Sequence, residues 1–189
     1  NINTTNSEFS AFTYSNDLFF SSLRDTTMGA ELNIDQPNDY KIKIFSPTKK
    51  DSKVYGSIDS IINSPQFHNA NGCFNSNETK FYFTRCDTLN HCEIYISKYG
   101  NGIWSKPKVL PTKVNEKGTN TTQPHVTMIE NKEYLFFSSN RNGGQGGLDI
   151  WHCEVLDGDT YSKPVNAGKT VNTLDPDICP YYDPKEGML

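Results

Sequence analysis

The chain has 189 residues, of which 34% are hydrophobic and 21% charged, and its formal net charge is −4. This balance is typical of a globular protein and argues against a disordered chain. The mild acidity argues against nucleic acid as a partner, because nucleic acid selects basic surfaces. No apolar run approaches the roughly 20 residues of a membrane-spanning helix.

Short runs of strand-forming residues extend along the whole chain. Phe, Tyr, Ile, Val and Thr come in bursts, and Asn, Asp, Ser, Gly and Pro crowd the stretches between them. Ala is scarce, and long helix-favouring stretches are absent. This pattern predicts an all-β protein.

The bursts fall into repeated units. In chain order, the first and weakest unit holds NDLFFSSLRD at 16–25 and DYKIKIF at 39–45. The second unit holds FYFTRCDTLNHCEIYISKYG, and the third holds LFFSSNRNGGQGGLDIW. A last stretch, NTLDPDICPYYDPKEGML, begins a fourth copy.

Landmarks of the second and third units recur at a near-constant spacing. Arg85 matches Arg141, and Glu93 matches Asp149. Each unit breaks into four short strand candidates, which in the third unit lie at about 124–128, 133–139, 148–154 and 160–166. Four short strands repeated in this way are the signature of a β-propeller blade.

We therefore expect a partial β-propeller of about three four-stranded blades and the first strand of a fourth. The blades are predicted at about 8–63, 68–115 and 122–172, and the start of the fourth at 173–189. Three blades cannot close a ring, since closed propellers take about four to eight. The chain is thus expected to be part of a longer protein, or to be completed by a partner that covers its open faces.

The glycine-rich stretch NRNGGQGG in the third unit is not expected to bind phosphate. A phosphate loop needs a strand, then Gly-x-x-x-x-Gly-Lys-Ser/Thr, then a helix. Here there is no Lys and no following helix pattern, and the matching stretch RCDTLNHC has no glycine. The glycines are predicted to permit positive φ in a hairpin between the second and third strands of the blade.

The third unit, YLFFSSNRNGGQGGLDIW followed by YSKPVNAGKTVNT, resembles the TolB-like propeller repeat. It is most similar to the repeat of outer-membrane OmpA-family proteins of Bacteroidetes, including PorE-like members of the type 9 secretion and gliding machinery. The resemblance spans nearly the whole chain. It implies a periplasmic, outer-membrane-associated protein whose partner is an outer-membrane β-barrel or a secretion or gliding component. Peptidoglycan would be bound through a domain that is not present here.

The function expected from this resemblance is a non-enzymatic protein-binding scaffold in the periplasm. No Gly-x-Ser-x-Gly elbow and no Ser-His-Asp arrangement can be located, so no catalytic residue is predicted. One alternative is the accessory propeller of a TolB-like peptidase. Another is a carbohydrate-binding propeller in which Trp104, Trp151 and the tyrosines stack on a glycan. Trp104 and Tyr161 share a repeat position and are otherwise predicted to pack between blades, with exposed anchors for a protein partner as the alternative.

The repeated charged residues are predicted to be structural. Glu93 and Asp149 each precede an apolar pair and are expected to bond to the backbone or to the repeat arginines, Arg85 and Arg141. The functional alternative is a ring of charges around a central channel.

The five cysteines leave at least one unpaired within the chain. Cys86 and Cys92 could clasp a short hairpin, which would suit an oxidising compartment; two separate thiols are the alternative. His91 lies between them, but no histidine has a metal-ligand spacing, and no cofactor is predicted. The carboxylate-rich stretches 156–160 and 174–184 leave bound Ca²⁺ open beside ordinary turn chemistry.

Three tripeptides match a modification pattern that the resemblance brings in. Bacteroidetes attach O-glycans in the periplasm at Asp-Ser/Thr-apolar sequences, and Thr26, Ser60 and Thr88 stand at such positions. Thr26 and Thr88 fall in predicted loops, where a bulky sugar is tolerated. The three residues are therefore candidate O-glycosylation sites, with chance recurrence of a short pattern as the alternative.

Overall fold

The structure, a computed structural model, describes residues 3, 7–23, 41–48, 55–58, 60–100 and 103–189. Within these ranges the protein is built of β-strands and turns, with a single 3₁₀ turn at Asp157–Asp159. The strands form three antiparallel sheets, one from each repeat unit. The prediction of an all-β protein is confirmed. No helix of the described part is long and apolar enough to cross a membrane.

Each sheet is a meander of neighbouring strands, as short hairpin connections favour. The first sheet holds β1 Glu8–Tyr14, β2 Asp17–Ser22, β3 Lys43–Pro47 and β4 Tyr55–Ser57. The second holds β5 His68–Phe74, β6 Lys80–Cys86, β7 Cys92–Gly100, β8 Ile103–Trp104 and β9 Lys108–Val109. The third holds β10 Thr121–Ile129, β11 Lys132–Ser139, β12 Asp149–Leu156, β13 Thr160–Tyr161 and β14 Val165–Asn166.

The outer strand of the third sheet is split in two. The sequence predicts one strand at about 160–166, whereas the structure has β13 and β14, both paired to β12. Pro164 lies in the break and has no N–H to give to the ladder. Ser162 bridges the break, because its N–H donates to Glu154 O and its Oγ accepts from the Glu154 N–H, both at 2.9 Å.

Two apolar clusters hold the three sheets together. The cluster between the first and second sheets has as its buried members Ile44, Ile62, Phe81 and Phe83. The cluster between the second and third sheets is larger, and its buried members are Cys73, Tyr82, Ile94, Ile96, Leu110, Val114, Val126, Leu135, Phe137, Trp151, Cys153 and Tyr161. Removing these side chains from water is the main favourable contribution to sheet packing.

A buried asparagine clamps the third strand of each sheet at an isoleucine. Its Oδ1 accepts from the isoleucine N–H, and its Nδ2 donates to the isoleucine carbonyl, at 2.7–3.0 Å in all three cases. The pairs are Asn63 with Ile44, Asn115 with Ile94 and Asn172 with Ile150. Because the three asparagines are buried, each satisfies two backbone groups that water does not reach.

Residues 173–189 do not form the predicted first strand of a fourth blade. The described segment has only an isolated bridge near its end. The Asp177 N–H donates to Leu148 O at 2.7 Å, and Tyr182 O lies 3.3 Å from Nε2 of His125. Because these bonds go to a hairpin and to a side chain, the segment lies along the third sheet without extending it.

Candidate functional site

The first strands of the three sheets and the segment after the third sheet surround a cavity of about 860 Å³. Its walls are residues 9–13 of β1, 71–74 of β5, 123–126 of β10 and the segment 178–181. Since β1, β5 and β10 are each the first strand of their sheet, the cavity lies where the three sheets converge.

One residue in each wall has a left-handed backbone. Ser10, Asn71, Gln123 and Cys179 have φ angles of 50°, 53°, 56° and 57°. The first three each lie at an irregularity in the pairing of the first and second strands of their sheet. A bulge of this kind bends a strand and re-aims its side chains. The four residues thus occupy one equivalent position around the cavity.

A hydroxyl group of the preceding sheet holds two of these bulges. The Asn71 N–H donates to Ser21 Oγ at 3.0 Å, and the Gln123 N–H donates to Thr84 Oγ1 at 2.8 Å. Ser21 and Thr84 have the same place in their sheets, each opposite an isoleucine of the third strand. The bulges are therefore fixed by the packing of one sheet on the next.

The fourth wall departs from this pattern. In the third sheet, Ser138 occupies the position that Ser21 and Thr84 occupy in theirs. The Cys179 N–H does not bond to it and donates instead to Gln123 Oε1, at 3.1 Å. Ser138 Oγ is buried and has no hydrogen-bond partner within the described part of the chain. The side chain of Gln123 thus takes the role that a hydroxyl group has at the Asn71 and Gln123 bulges.

Aromatic rings are exposed in the cavity beside neutral polar groups. Phe9 is 37% exposed and Tyr181 is 68% exposed, and both line the cavity. The Tyr181 ring packs on His125 with centroids 4.8 Å apart, and the neighbouring Tyr182 stacks on Phe136 at 5.6 Å. These contacts fix the fourth wall and leave most of Tyr181 accessible.

The described lining of the cavity includes no Lys, Arg, Asp or Glu side chain. Burial lowers the pKa of His125, although its hydrogen bond to the Tyr182 carbonyl acts in the opposite direction. Burial also raises the pKa of the Cys73 thiol to about 12. Near neutral pH the lining therefore offers hydroxyl, amide and ring groups rather than charges.

The repeat arginines do not pair with the repeat carboxylates among the described residues. Nη2 of Arg85 donates to Ile62 O at 2.7 Å, and its Nε donates to Asn69 Oδ1 at 2.8 Å. Nη2 of Arg141 donates to Val114 O. Each guanidinium group thus donates to the carbonyl of the residue just before the clamping asparagine of the preceding unit. A guanidinium group has several N–H donors, so it can bond several acceptors at once.

Aromatic rings cover both guanidinium groups: Phe83 and Tyr95 at Arg85, and Phe137 and Trp151 at Arg141.

Asp149 closes the glycine-rich hairpin instead of pairing with an arginine. Its carboxylate accepts from the N–H groups of Gln145 and Gly146, at 3.0 and 3.4 Å. Gly143 has a φ of 96°, which favours glycine. A Cβ at Gly146 would stand 2.7 Å from Leu174 O. The hairpin thus needs one glycine for its φ angle and another for close approach of the backbone.

Cys86 and Cys92 are joined by a disulfide at the ends of β6 and β7. In the turn between them, Asp87 Oδ1 accepts from the His91 N–H at 2.9 Å. Hydrogen bonds from this backbone lower the pKa of Asp87. Glu93 follows Cys92, opposite the arginine of its unit in the strand register but without an ion pair to it. His91 is exposed.

No group of three or more His, Cys, Asp or Glu residues in the described ranges is placed to hold a metal ion. Two of the carboxylates considered for Ca²⁺, Asp159 and Asp177, have other partners. Asp159 pairs with Lys80 at 3.0 Å and with Lys98, and Asp177 accepts from the Thr173 N–H at 2.6 Å. These contacts are ion pairs and turn bonds.

Two of the three candidate glycosylation residues, Ser60 and Thr88, are exposed in turns. Thr26 lies outside the described residues. The modification stays a prediction for all three.

The tryptophans lie away from the cavity. Trp151 is 7% exposed and belongs to the core between the second and third sheets. Trp104 is half-buried against Phe74, and Tyr161 is buried between the same two sheets as Trp151. Among the described tryptophans and tyrosines, Tyr181 is the one that lines the cavity.

Three sheets packed face to face, with their first strands converging on a cavity, define an all-β fold of the β-propeller type. The chain matches no protein-family model and no curated protein. It is similar to the solved structure of an endo-arabinase from Bacteroides thetaiotaomicron, with a TM-score of 0.53 and 12% identity. The match covers 84% of this chain and 61% of the endo-arabinase, so this chain spans less than two thirds of that protein.

A second solved structure, an α-L-arabinofuranosidase from Lactobacillus brevis, matches with a TM-score of 0.49 and 12% identity. That match covers 83% of this chain and 52% of the other. At such low identity, the likeness to the endo-arabinase supports the fold.

The likeness also corrects two expectations. The chain was expected to be a non-enzymatic periplasmic docking scaffold, and not an enzyme. The solved structure that supports the fold is an endo-arabinase, which runs against both expectations and fits the carbohydrate-binding alternative better.

Proposed function

We propose that the chain binds a carbohydrate in its central cavity. The observation that carries this proposal is the presence of exposed rings, Phe9 and Tyr181, beside the neutral polar side chains of Ser10, Asn71 and Gln123 in one cavity of about 860 Å³. Cavities of about 300–1,000 Å³, mostly apolar with a few polar groups that fix orientation, are typical of ligand sites.

A sugar suits this lining on chemical grounds. Its C–H face is apolar and packs on an aromatic ring, while each hydroxyl both donates and accepts a hydrogen bond. Tyr181 offers an accessible ring. The amides of Asn71 and Gln123 offer neutral donors and acceptors at the same cavity.

The likeness to a carbohydrate-active propeller supports the ligand class. Because the neighbour is an endo-arabinase, arabinan and its oligosaccharides are the first ligands to test. Hydrolysis would need more than the described lining supplies. Glycoside hydrolases generally use two carboxyl groups about 5–10 Å apart, and the described lining has none. Carboxylates from outside this lining would have to complete a hydrolytic site.

Affinity electrophoresis tests the proposal, with arabinan and other neutral polysaccharides cast separately into native gels. We expect at least one of them to retard the wild-type protein. Tyr181→Ala should lose roughly tenfold in affinity, because stacking on a ring contributes about 1 kcal/mol beyond the area it buries. Tyr99→Ala is the matched control, since Tyr99 is 42% exposed but packs at a tilt on Trp104 outside the cavity. Failure of every polysaccharide to retard the folded wild type would refute the proposal. Release of reducing ends in the same mixtures measures cleavage.

We also propose the finer architecture of about three blades, at 8–63, 68–115 and 122–172, with the start of a fourth at 173–189. The three sheets support it, as does Cys179, which repeats the left-handed position of Ser10. A crystal structure of the intact natural protein would test it. A strand through Cys179, paired to a following strand, is expected; a segment that stays unpaired would contradict it.

The TolB-like resemblance, the periplasmic location and the partners that it implies stay predictions. The disulfide between Cys86 and Cys92 suits an oxidising compartment and so agrees with that location. Cell fractionation with thiol labelling would test it, and recovery from the cytosol with both thiols reduced would contradict it.

A further inference from the structure

We infer that the ligand of the cavity is an uncharged glycan and that Asn71 and Gln123 select it. This inference rests on the proposed function and specifies the chemistry of its ligand. The chain has 18 Lys and Arg and 22 Asp and Glu residues, yet none of these side chains belongs to the described lining.

An acidic sugar would meet no cation in this lining. Proteins usually bind carboxylates through charge-assisted hydrogen bonds from Arg or Lys. Arg85 and Arg141 are engaged elsewhere, with carbonyls of the preceding units. His125 lines the cavity, but burial lowers its pKa and favours the neutral imidazole. A bound carboxylate would therefore lose hydration without gaining a cationic partner from the described lining, which is unfavourable.

Asn71 and Gln123 supply the neutral hydrogen bonds that sugar hydroxyls need. Nδ2 of Asn71 donates to Ser10 Oγ, and no described hydrogen bond uses its Oδ1. Oε1 of Gln123 accepts from the Cys179 N–H, and no described hydrogen bond uses its Nε2. One residue thus presents an acceptor and the other a donor, and a hydroxyl group can satisfy either.

The fold fixes the backbone of Asn71 and Gln123, and so the place of their side chains, before a ligand binds. Asn71 and Gln123 stand at equivalent left-handed bulges, with φ angles of 53° and 56°. Their N–H groups are fixed by Ser21 and Thr84 of the preceding sheet. Because the backbone under each side chain is already ordered, binding loses little conformational freedom there.

Two substitutions test the inference. Gln123→Glu keeps the oxygen that accepts from the Cys179 N–H, but it removes the Nε2 donor and adds a negative charge. Asn71→Gly removes the Oδ1 acceptor, and glycine adopts the left-handed backbone without strain. Gln66→Glu makes the same chemical change as Gln123→Glu at an exposed residue outside the cavity and is the control.

The affinity of each purified protein is measured for a neutral polysaccharide that the wild type binds, and for polygalacturonate. We expect each cavity variant to lose about tenfold or more in affinity for the neutral polysaccharide, and Gln66→Glu to lose none. The wild type should prefer the neutral polysaccharide to polygalacturonate by at least about tenfold, a comparison that needs no variant to fold. Thermal unfolding midpoints show whether each variant keeps its fold.

Two results would overturn the inference and leave the proposed function standing. One is wild-type binding to polygalacturonate as tight as, or tighter than, binding to any neutral polysaccharide. The other is unchanged affinity for the neutral polysaccharide in both folded cavity variants. If the folded wild type binds neither kind of polysaccharide, the proposed function and the inference both fail.

Discussion

Asn115 binds both backbone polar groups of Ile94: its Oδ1 accepts from the Ile94 N–H, and its Nδ2 donates to the Ile94 carbonyl, each at 2.9 Å. A further bond joins Nδ2 to Leu110 O at 3.1 Å. Asn115 is only 4% exposed, so water cannot take over these bonds. The segment that ends the second repeat unit is thereby fastened to the third strand of its own sheet.

Asn115→Ala should therefore lower the free energy of unfolding by about 2–4 kcal/mol, because buried N–H and C=O groups lose their partners. Urea denaturation measures this loss. Asn142→Ala is the matched control, since Asn142 is exposed, and it should change the value by less than about 0.5 kcal/mol. A loss below about 1 kcal/mol for Asn115→Ala would show that its bonds to Ile94 contribute little to stability.

Arg141 is expected to stabilise the junction of the second and third repeat units. It is 5% exposed, stacks on Phe137 at 4.7 Å and donates to Val114 O. Arg141→Gln should lower the free energy of unfolding by roughly 2–4 kcal/mol, because the carbonyl and the ring both lose their partner. Lys163→Gln removes a cation from an exposed site and should have little effect. Similar midpoints in guanidinium chloride for both variants would contradict this role.

Gly72 leaves room for the ring of Phe81 in its own sheet and for the ring of Phe12 in the first sheet. A Cβ at this position would lie 2.5 Å from Cε2 of Phe81 and 2.9 Å from Cζ of Phe12. Gly72→Ala should cost about 1–3 kcal/mol, because the buried ring of Phe81 cannot move without straining the core. Gly100→Ala is the control, since a Cβ there has no neighbour within 4 Å. Equal thermal midpoints for the two variants would show that the rings of Phe81 and Phe12 pack less closely on Gly72 than described.

Stability should fall as the pH falls below about 6.5. Burial lowers the pKa of three histidines, namely His68, His125 and His152. The unfolded chain, whose histidines titrate near pH 6.5, then binds protons that the folded chain does not. The folded state is consequently most stable above that pH and loses stability as the pH falls through it.

His152→Phe should reduce this pH dependence, because His152 lies half-buried beside the Phe136 ring, with centroids 5.3 Å apart. Urea denaturation from pH 7.5 to 5.5 measures it. As the pH falls below 6.5, the free energy of unfolding should decrease less for the variant than for the wild type. Parallel curves over the whole range would contradict the assignment.

The repeat predicted the sheets because its landmarks are residues that every sheet needs. The strands predicted at 133–139 and 148–154 appear as β11 and β12 with nearly the same bounds. Of the two partners predicted for Asp149, the backbone and Arg141, the structure has the backbone, and a shared repeat position does not reveal which way a long side chain turns. Arg141 turns back to Val114 of the preceding unit, and Asp149 turns into its own hairpin.

The cavity could not be predicted from the repeat, because its walls share little sequence. At the equivalent positions they read Ser-Ala-Phe, Asn-Gly-Cys, Gln-Pro-His and Cys-Pro-Tyr. The small residue or proline after each left-handed residue is the one common signal. The exposed ring of Tyr181 reaches the cavity through contacts with His125, which lies far from it in the sequence.

Isothermal titration of the wild-type protein with arabinan oligosaccharides, beside Tyr181→Ala and Tyr99→Ala, tests the central claim most directly. Carbohydrate binding in the cavity predicts saturable heat for the wild type and for Tyr99→Ala, and roughly tenfold weaker binding for Tyr181→Ala. Binding that is equally strong in Tyr181→Ala would place the ligand elsewhere on the protein. No measurable heat from the folded wild type with arabinan oligosaccharides or with any other neutral oligosaccharide would contradict the account.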